Sequence, residues 1–249
     1  MTKAYMPIEH YRDLDRKETS YWWHISRLNW VEQIVRKICS DPKSLRALDY
    51  GCGMGGFLHH INERIGFACA VGVDVSRQAV ENAAKYTPQY RCIQPGDVSL
   101  ARNADIVFLM DVLEHIKHDR NLIESLLDVM PDGAYIVASV PAYPALFSSW
   151  DTVLGHYRRY SMNNLMSLFK RAGARIVVYS YIFSYLTPGI IWRRIFQKNR
   201  HTNATCEFPS VPDRLNRFLI RLNKLEIQAS GFISIPCGSS ILCMAQKAG

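Results

Sequence analysis

The chain has 249 residues, of which 48% are hydrophobic and 21% are charged. This composition excludes a disordered, collagen-like or disulfide-stapled chain and predicts one large domain, or one domain with an appendage. The formal net charge of +8 suits an anionic substrate, a nucleic acid or an acidic membrane surface. Seven cysteines without a CxxC pair predict reduced thiols in a cytoplasmic setting.

Helix and strand patterns alternate along most of the chain. After a polar stretch at 1–20, helical spacing covers 26–39 and ends at Asp41-Pro42. Strands are then predicted over 46–50, 68–76, 90–94, 104–112, 134–140, 174–181 and 239–247, and helices over 55–65, 77–86, 119–130 and 162–173. This alternation predicts an α/β fold whose parallel sheet has helices on both faces and binds ligands at the carboxyl ends of its strands.

A basic segment interrupts the alternation between the last two strands. Residues 182–238 are more than a hairpin needs, and between 193 and 224 they carry a net charge of +6. The basic residues are Arg193, Arg194, Lys198, Arg200, Arg214, Arg217, Arg221 and Lys224. We interpret 183–238 as a basic helical insertion that caps the ligand pocket. The alternatives are peripheral membrane contact through 183–224 and a solvated helical face.

No transmembrane segment is predicted. The longest uncharged apolar run covers 176–192 and is interrupted by Pro188-Gly189. A helix that spans a bilayer needs about 20 apolar residues.

The stretch LDYGCGMGGF at 48–57 carries the strongest local signal. Gly51, Gly53 and Gly56 fit the dinucleotide pattern GxGxxG, with Asp74 at the position of a ribose-binding acid. The same loop also fits the GxGxG pattern of S-adenosylmethionine binders. Asp49 favours the second template because a carboxylate there can face a positively charged amino group but not a pyrophosphate. Asp97 after the third strand also favours it, as does the strand that closes the chain.

Four motifs together resemble those of a class I S-adenosylmethionine-dependent methyltransferase. They are D-x-G-C-G-x-G, the G-V-D at 72–74, the G-D at 96–97 and F-L-M-D-V-L-E-H at 108–115. The resemblance implies a Rossmann-like seven-stranded sheet of order 3-2-1-4-5-7-6 with strand 7 antiparallel. The core would comprise 45–182 and 239–249, and 1–44 would form an N-terminal helical lid.

The resemblance also implies cofactor contacts. Asp49, Gly51, Cys52 and Gly53 would hold the methionine end, Asp74 the ribose hydroxyls, Val75 the adenine face, and Asp97 and Val98 the adenine edge, with Asp111 as a further contact. No metal is expected, because His115 and His118 lack a third ligand at matching spacing.

Methyl transfer to oxygen or nitrogen of a small molecule depends mainly on alignment, but an acceptor hydroxyl or amine must still lose a proton. His115, at the end of the fourth strand, is the candidate base, and His156 competes with it. Glu114 contacts the cofactor or orients His115 in this interpretation.

YWWHISR at 21–27 and HYRRYS at 156–161 resemble elements of a bacterial methyltransferase subgroup. The predicted acceptor-binding residues are Tyr21, Trp22, Trp23, Arg27, Tyr143, Tyr157, Arg158, Arg159 and Tyr160. They suit an anionic or aromatic small molecule. A structural alternative pairs Arg158 or Arg159 with Asp151 or with a carbonyl.

Two other functions compete with methyl transfer. A nicotinamide-dependent oxidoreductase fits the glycine pattern, although Asp49 and the last strand oppose it. A basic module that binds RNA or a membrane surface fits the charge. The fourth strand ends in Asp-Val and not in the motif of amino-directed nucleic-acid methyltransferases, so no nucleic acid is expected as partner.

Overall fold

The predicted sheet consists of seven strands. They are β1 (Arg46–Tyr50), β2 (Cys69–Asp74), β3 (Gln89–Cys92), β4 (Ile106–Met110), β5 (Tyr135–Pro141), β6 (Ala174–Ile182) and β7 (Ser240–Lys247). Their order is β3-β2-β1-β4-β5-β7-β6. β7 runs antiparallel to β5 and β6, whereas the first five strands pair in parallel. The computed structural model describes residues 17, 20–189, 210–231 and 235–249, and within them it confirms the Rossmann-like fold and its strand order.

Seven α-helices of the described residues surround the sheet. They are α1 (Trp22–Ile38), α2 (Gly56–Ile65), α3 (Arg77–Ala83), α4 (Asp119–Val129), α5 (Ser149–Val153), α6 (Met162–Arg171) and α7 (Asp213–Ser230). α1 extends beyond the helical spacing of 26–39 to Trp22, whose amide donates to Oδ1 of Asn216, 2.8 Å away on α7. A cap from so distant a part of the chain leaves no local sequence signal.

The sheet has a hydrophobic core on each face. Along β4, Val107 and Leu109 belong to one core, whereas Ile106, Phe108 and Met110 belong to the other. This division follows from the two-residue period of a strand, and the continuous apolar run reflects burial on both sides. The first core also contains buried residues of α4 and α6, and the second contains those of α1 and α2.

α7 packs on α1 and on the exit from β6. The buried Glu226 carboxylate accepts hydrogen bonds from the Trp30 indole at 3.3 Å and from the Phe183 amide at 3.0 Å. Tyr21 and Trp22 are buried in the same core, so the start of α1 is part of the packed structure.

The helical insertion between β6 and β7 is represented by α7 and by a short 3-10 turn, Ser184–Leu186. Arg193, Arg194, Lys198 and Arg200 lie outside the described residues. Among the helices that the structure describes, none combines the length and apolar character needed to cross a bilayer.

Candidate functional site

The glycine loop turns sharply where β1 ends. Gly51 has φ +82°, and the amides of Gly51 and Cys52 donate to the Val73 carbonyl at 2.8 and 3.0 Å. A Cβ on Gly51 would lie 2.7 Å from Cγ2 of Val112, so both the backbone conformation and the space require glycine. The loop is thereby held between the ends of β2 and β4.

Asp74 joins the end of β2 to this loop. Its carboxylate accepts hydrogen bonds from the Gly53 amide at 2.9 Å and from the Ser76 amide at 2.8 Å. Burial raises the pKa of Asp74, although these amides favour its charged form. Because each carboxylate oxygen has two lone pairs, both retain capacity for a ligand hydroxyl.

Asp97 lies on the surface after β3. The Ser99 amide donates to its carboxylate at 2.9 Å, and this contact lowers the pKa of Asp97. Tyr50 lies at the end of β1, and its pKa rises to about 12 because of burial and of the nearby Asp97 and Asp74 charges. Sequence reasoning missed Tyr50, although it directly precedes the first loop glycine and so had to lie at the strand end.

The remaining predicted cofactor residues lie along the same edge. Asp49 and Cys52 are buried, and Val75 and Val98 are half-buried. The structure therefore brings the acids and the glycine loop together at the carboxyl ends of β1, β2 and β3, as a single edge of the sheet requires.

Arg27 and Asp111 form an ion pair over the end of β4. Nη1 of Arg27 lies 2.5 Å from Oδ2 of Asp111. The Arg27 guanidinium also lies 4.4 Å from the Trp23 ring centre and 5.5 Å from that of Phe57. The sequence predicts Arg27 at the acceptor and Asp111 at the cofactor, and the structure brings these two residues into direct contact.

Glu114 is buried near this pair. Burial raises its pKa well above the ordinary value, as does the nearby Asp111 charge, while Arg27 and Arg159 oppose the shift. Both effects favour the neutral form of Glu114 over the charged form.

His115 and His156, the two candidate bases, meet in space. Their ring centres are 4.7 Å apart and their planes are nearly perpendicular at 87°. Nδ1 of His156 lies 3.0 Å from Oδ1 of Asp151, which also accepts a 2.7 Å hydrogen bond from Nε of Arg159. Asp151 belongs to a capping box at the start of α5, in which Ser148 donates both its amide and its hydroxyl to Oδ2.

Asp151 is an anion held by this network. Burial disfavours its charged form, but the contacts with His156, Arg159 and Ser148 outweigh this effect and lower its pKa to about 2. A carboxylate can only accept, so Nδ1 of His156 carries the proton and Nε2 is the basic nitrogen of the neutral ring. The Ser148-x-x-Asp151 pattern predicts a helix start, a signal that sequence analysis left unused.

The same histidines offer ligand atoms for a cation. One nitrogen or oxygen each from Glu114, His115 and His156 lies within 4.8 Å of the others, and His59, His60 and Glu63 form a second such group on α2. Arg27 and Arg159 next to the first group oppose a cation electrostatically. The expectation of no metal stays a prediction.

The predicted acceptor residues separate into two groups. Tyr160 is buried, with its hydroxyl 2.7 Å from Oδ2 of Asp119, and Arg158 binds Oδ1 of Asp119 at 2.9 Å. Arg158 also donates to the Lys117 carbonyl at 2.6 Å. Together with the Arg159–Asp151 pair, these contacts match the structural alternative.

The second group consists of three aromatic residues that are more accessible than Tyr160. Tyr157 is exposed, and Trp23 is half-buried beside Arg27. Tyr143 stacks on Tyr181 with ring centres 5.5 Å apart, and its backbone has φ 61°. These three residues offer more accessible surface to a flat ligand than Tyr21 and Trp22 do.

Known proteins share this chain's sequence pattern. A methyltransferase domain model matches residues 22–179. The chain is 29% identical over 115 residues to the ubiquinone biosynthesis O-methyltransferase of Neisseria meningitidis serogroup C, which covers 42% of this chain and 48% of that protein. It is 28% identical over 156 residues to the mitochondrial ubiquinone biosynthesis O-methyltransferase of Schizosaccharomyces pombe, which covers 53% and 54%. The chain thus spans about half the length of the curated relatives it matches.

Solved structures share the fold. Magnesium protoporphyrin IX methyltransferase from Synechocystis PCC 6803 with bound SAH superposes with a TM-score of 0.53 at 14% identity, over 90% of this chain and 85% of that one. Identity at this level supports the fold alone. Since the family model covers more than half of its length, the chain belongs to the methyltransferase domain family.

Proposed function

We propose that this chain binds S-adenosylmethionine and transfers its methyl group to oxygen or nitrogen of a small molecule. The observation that carries the proposal is the meeting of Asp49, Asp74 and Asp97 around a glycine loop at one sheet edge. Bound there, the cofactor would supply an electrophilic methyl group. Membership of the methyltransferase family and the O-methyltransferase names of the relatives support the reaction class.

The residues at this edge fit the chemistry of that cofactor. Asp49 is a buried acid suited to an amino group, and Asp74 has oxygens for two ribose hydroxyls. Asp97, together with Val98, would hold the adenine edge, and Val75 would pack on its face. Tyr50 adds a buried phenol near the ribose and adenine acids.

We assign the proton-accepting role to His156. Its basic Nε2 is set by the hydrogen bond from Nδ1 to Asp151, an arrangement that also stabilises the imidazolium formed after proton transfer. His115 lies against its ring and remains the competing base. Arg159 shares the Asp151 carboxylate and is a positioning residue.

Trp23 and Tyr157 are the aromatic surfaces that we assign to the acceptor. Stacking on such rings favours a flat acceptor, and the O-methyltransferase names of the relatives support transfer to oxygen. In this proposal the lid function of 1–44 is carried by Trp23, because Tyr21 and Trp22 are buried.

Thermal unfolding with S-adenosylhomocysteine, S-adenosylmethionine, NAD and an RNA oligonucleotide tests the cofactor assignment. The two adenosyl compounds should raise the Tm in a concentration-dependent way. Asp74→Asn should abolish most of this rise, whereas Asp128→Asn, an exposed carboxylate on α4, should keep it. Stabilisation by NAD alone would instead favour an oxidoreductase, and an unchanged response of Asp74→Asn would overturn the assignment.

A further inference from the structure

We propose that the outward face of α7 docks on an anionic lipid bilayer. We define this face by the exposed residues Arg214, Arg217, Phe218, Arg221, Lys224 and Leu225, which repeat at helical spacing over three turns. The inference does not depend on the methyltransferase reaction, because the face lies on the side of the helix that points away from the packed core.

The orientation of α7 is fixed by its opposite side. Asn223, Glu226 and Ile227 are buried, and Glu226 binds the Trp30 indole and the Phe183 amide. Near the start of the helix, Asn216 accepts from the Trp22 amide and donates to the Ser20 carbonyl. These contacts hold the helix against α1, so the outward face cannot turn inward to bury its apolar side chains.

Apolar side chains are concentrated on this helix. Phe218 is 53% exposed and Leu225 is 60% exposed, and Leu215 beside them is 46% exposed. Three of the six exposed large apolar side chains of the described residues therefore lie on a single helix. Scattered apolar side chains are ordinary on a protein surface, but a cluster of this kind marks a contact site.

The charge of the same face is uniformly positive. Arg214, Arg217, Arg221 and Lys224 are exposed, whereas the two acids of the helix are Asp213 at its first residue and the buried Glu226. Four cations that flank exposed phenylalanine and leucine side chains form the pattern of a helix that lies in a membrane interface. The basic residues meet the lipid phosphates, and the apolar side chains enter the acyl boundary.

Other occupants satisfy only part of this pattern. A second copy of the chain, packed through the same face about a two-fold axis, would place four cations against four cations. An RNA backbone would neutralise the cations but leave Leu215 and Leu225 in water. The bilayer matches both the charge and the apolar side chains.

Vesicle co-sedimentation of the full chain tests the proposal. The protein should bind vesicles of phosphatidylcholine mixed with phosphatidylglycerol and not vesicles of phosphatidylcholine alone. Arg217→Glu/Arg221→Glu should lower the partition coefficient by about tenfold or more, since each basic residue near an anionic surface adds to binding. Phe218→Ser/Leu225→Ser should also weaken binding, but with an unchanged dependence on salt, because the charges remain.

Matched control variants distinguish the effect of this face on vesicle binding from the effect of the overall net charge. Arg102→Glu/Arg171→Glu changes net charge by the same amount at exposed sites on other elements and should retain binding. Tyr179→Ser, at an exposed side chain of β6, controls for apolar removal. Circular dichroism verifies that every variant is folded. Equal binding to both kinds of vesicle, equal losses in the controls, or RNA binding that depends on this face without vesicle binding would overturn the proposal.

Discussion

Nδ1 of His156 lies 3.0 Å from Oδ1 of Asp151, a carboxylate without exposed surface. This contact distinguishes His156 from His115, because it determines which nitrogen of the His156 ring is basic. It also connects the candidate site to the capping box that stabilises the start of α5.

We expect His156→Ala to lower turnover by about a hundredfold to ten-thousandfold, the usual range for loss of a general base. Asp151→Asn should lower turnover less and shift the pH–rate profile, because the ring loses its anionic partner. Affinity for S-adenosylhomocysteine should persist in both variants. His118→Ala, at an exposed histidine before α4, is the control and should retain turnover. A larger loss in His115→Ala would move the base to His115, and near-normal turnover in both histidine variants would mean that alignment alone suffices.

Asp151 should make the fold sensitive to acid. Its folded pKa of about 2 lies below the ordinary value of 3.8, so its stabilising effect is present above about pH 4 and is lost as the pH falls toward 2. The difference corresponds to about 2 kcal/mol. Urea unfolding between these pH values should show a shallower decline for Asp151→Asn than for the parent chain. Parallel curves would contradict the ionised state of Asp151.

Glu114 should have the opposite pH dependence. Its folded pKa lies above the ordinary value of 4.5, so the folded chain binds more protons than the unfolded chain and loses stability as the pH rises through that window. Each pH unit in the window changes the free energy of unfolding by up to about 1.4 kcal/mol. Glu114→Gln should flatten this part of the profile, as measured by denaturant titration at several pH values. A profile in the variant that is as steep as that of the parent chain, or steeper, would contradict the raised pKa of Glu114.

Gly51→Ala should be more destabilising than Gly66→Ala. Both glycines have positive φ, +82° and +73°, so both variants incur a backbone cost of about 1–2 kcal/mol. A Cβ at Gly51 also lies 2.7 Å from Val112, whereas the space around Gly66 is open. Val112→Ala should therefore recover part of the loss in a double-mutant cycle. Equal unfolding free energies for the two single variants would show that the contact with Val112 is unimportant.

Substitution of Trp22 should affect mainly stability, whereas substitution of Trp23 should affect mainly activity. Trp22 is buried, and Trp22→Ala should cost about 3–5 kcal/mol of unfolding free energy. Trp23 is half-buried beside Arg27, so Trp23→Ala should cost less stability and lower turnover, with a raised KM for the acceptor. Thermal unfolding and steady-state kinetics measure the two effects. Wild-type kinetics in Trp23→Ala would remove Trp23 from the acceptor site.

The chain's local patterns by themselves determined the strands, the glycine loop and most helices. The predicted strand 46–50 coincides with β1, and the strand predicted over 174–181 differs from β6 by one residue. Such elements depend on side-chain periodicity and on glycine conformations, which neighbouring residues decide. The strand order came from the family resemblance, whose motifs are likewise local.

Tertiary structure alone decided which charged residues meet. Arg27 and Asp111 are 84 positions apart, and they pair because α1 packs across the end of β4. Glu226 lies on the buried side of α7, where spacing alone predicts burial but not its partners Trp30 and Phe183. Ion pairs and hydrogen bonds form between atoms a few ångströms apart, and the packing of whole elements brings such atoms together. The Arg27–Asp111 and His156–Asp151 contacts are therefore visible only in the folded chain.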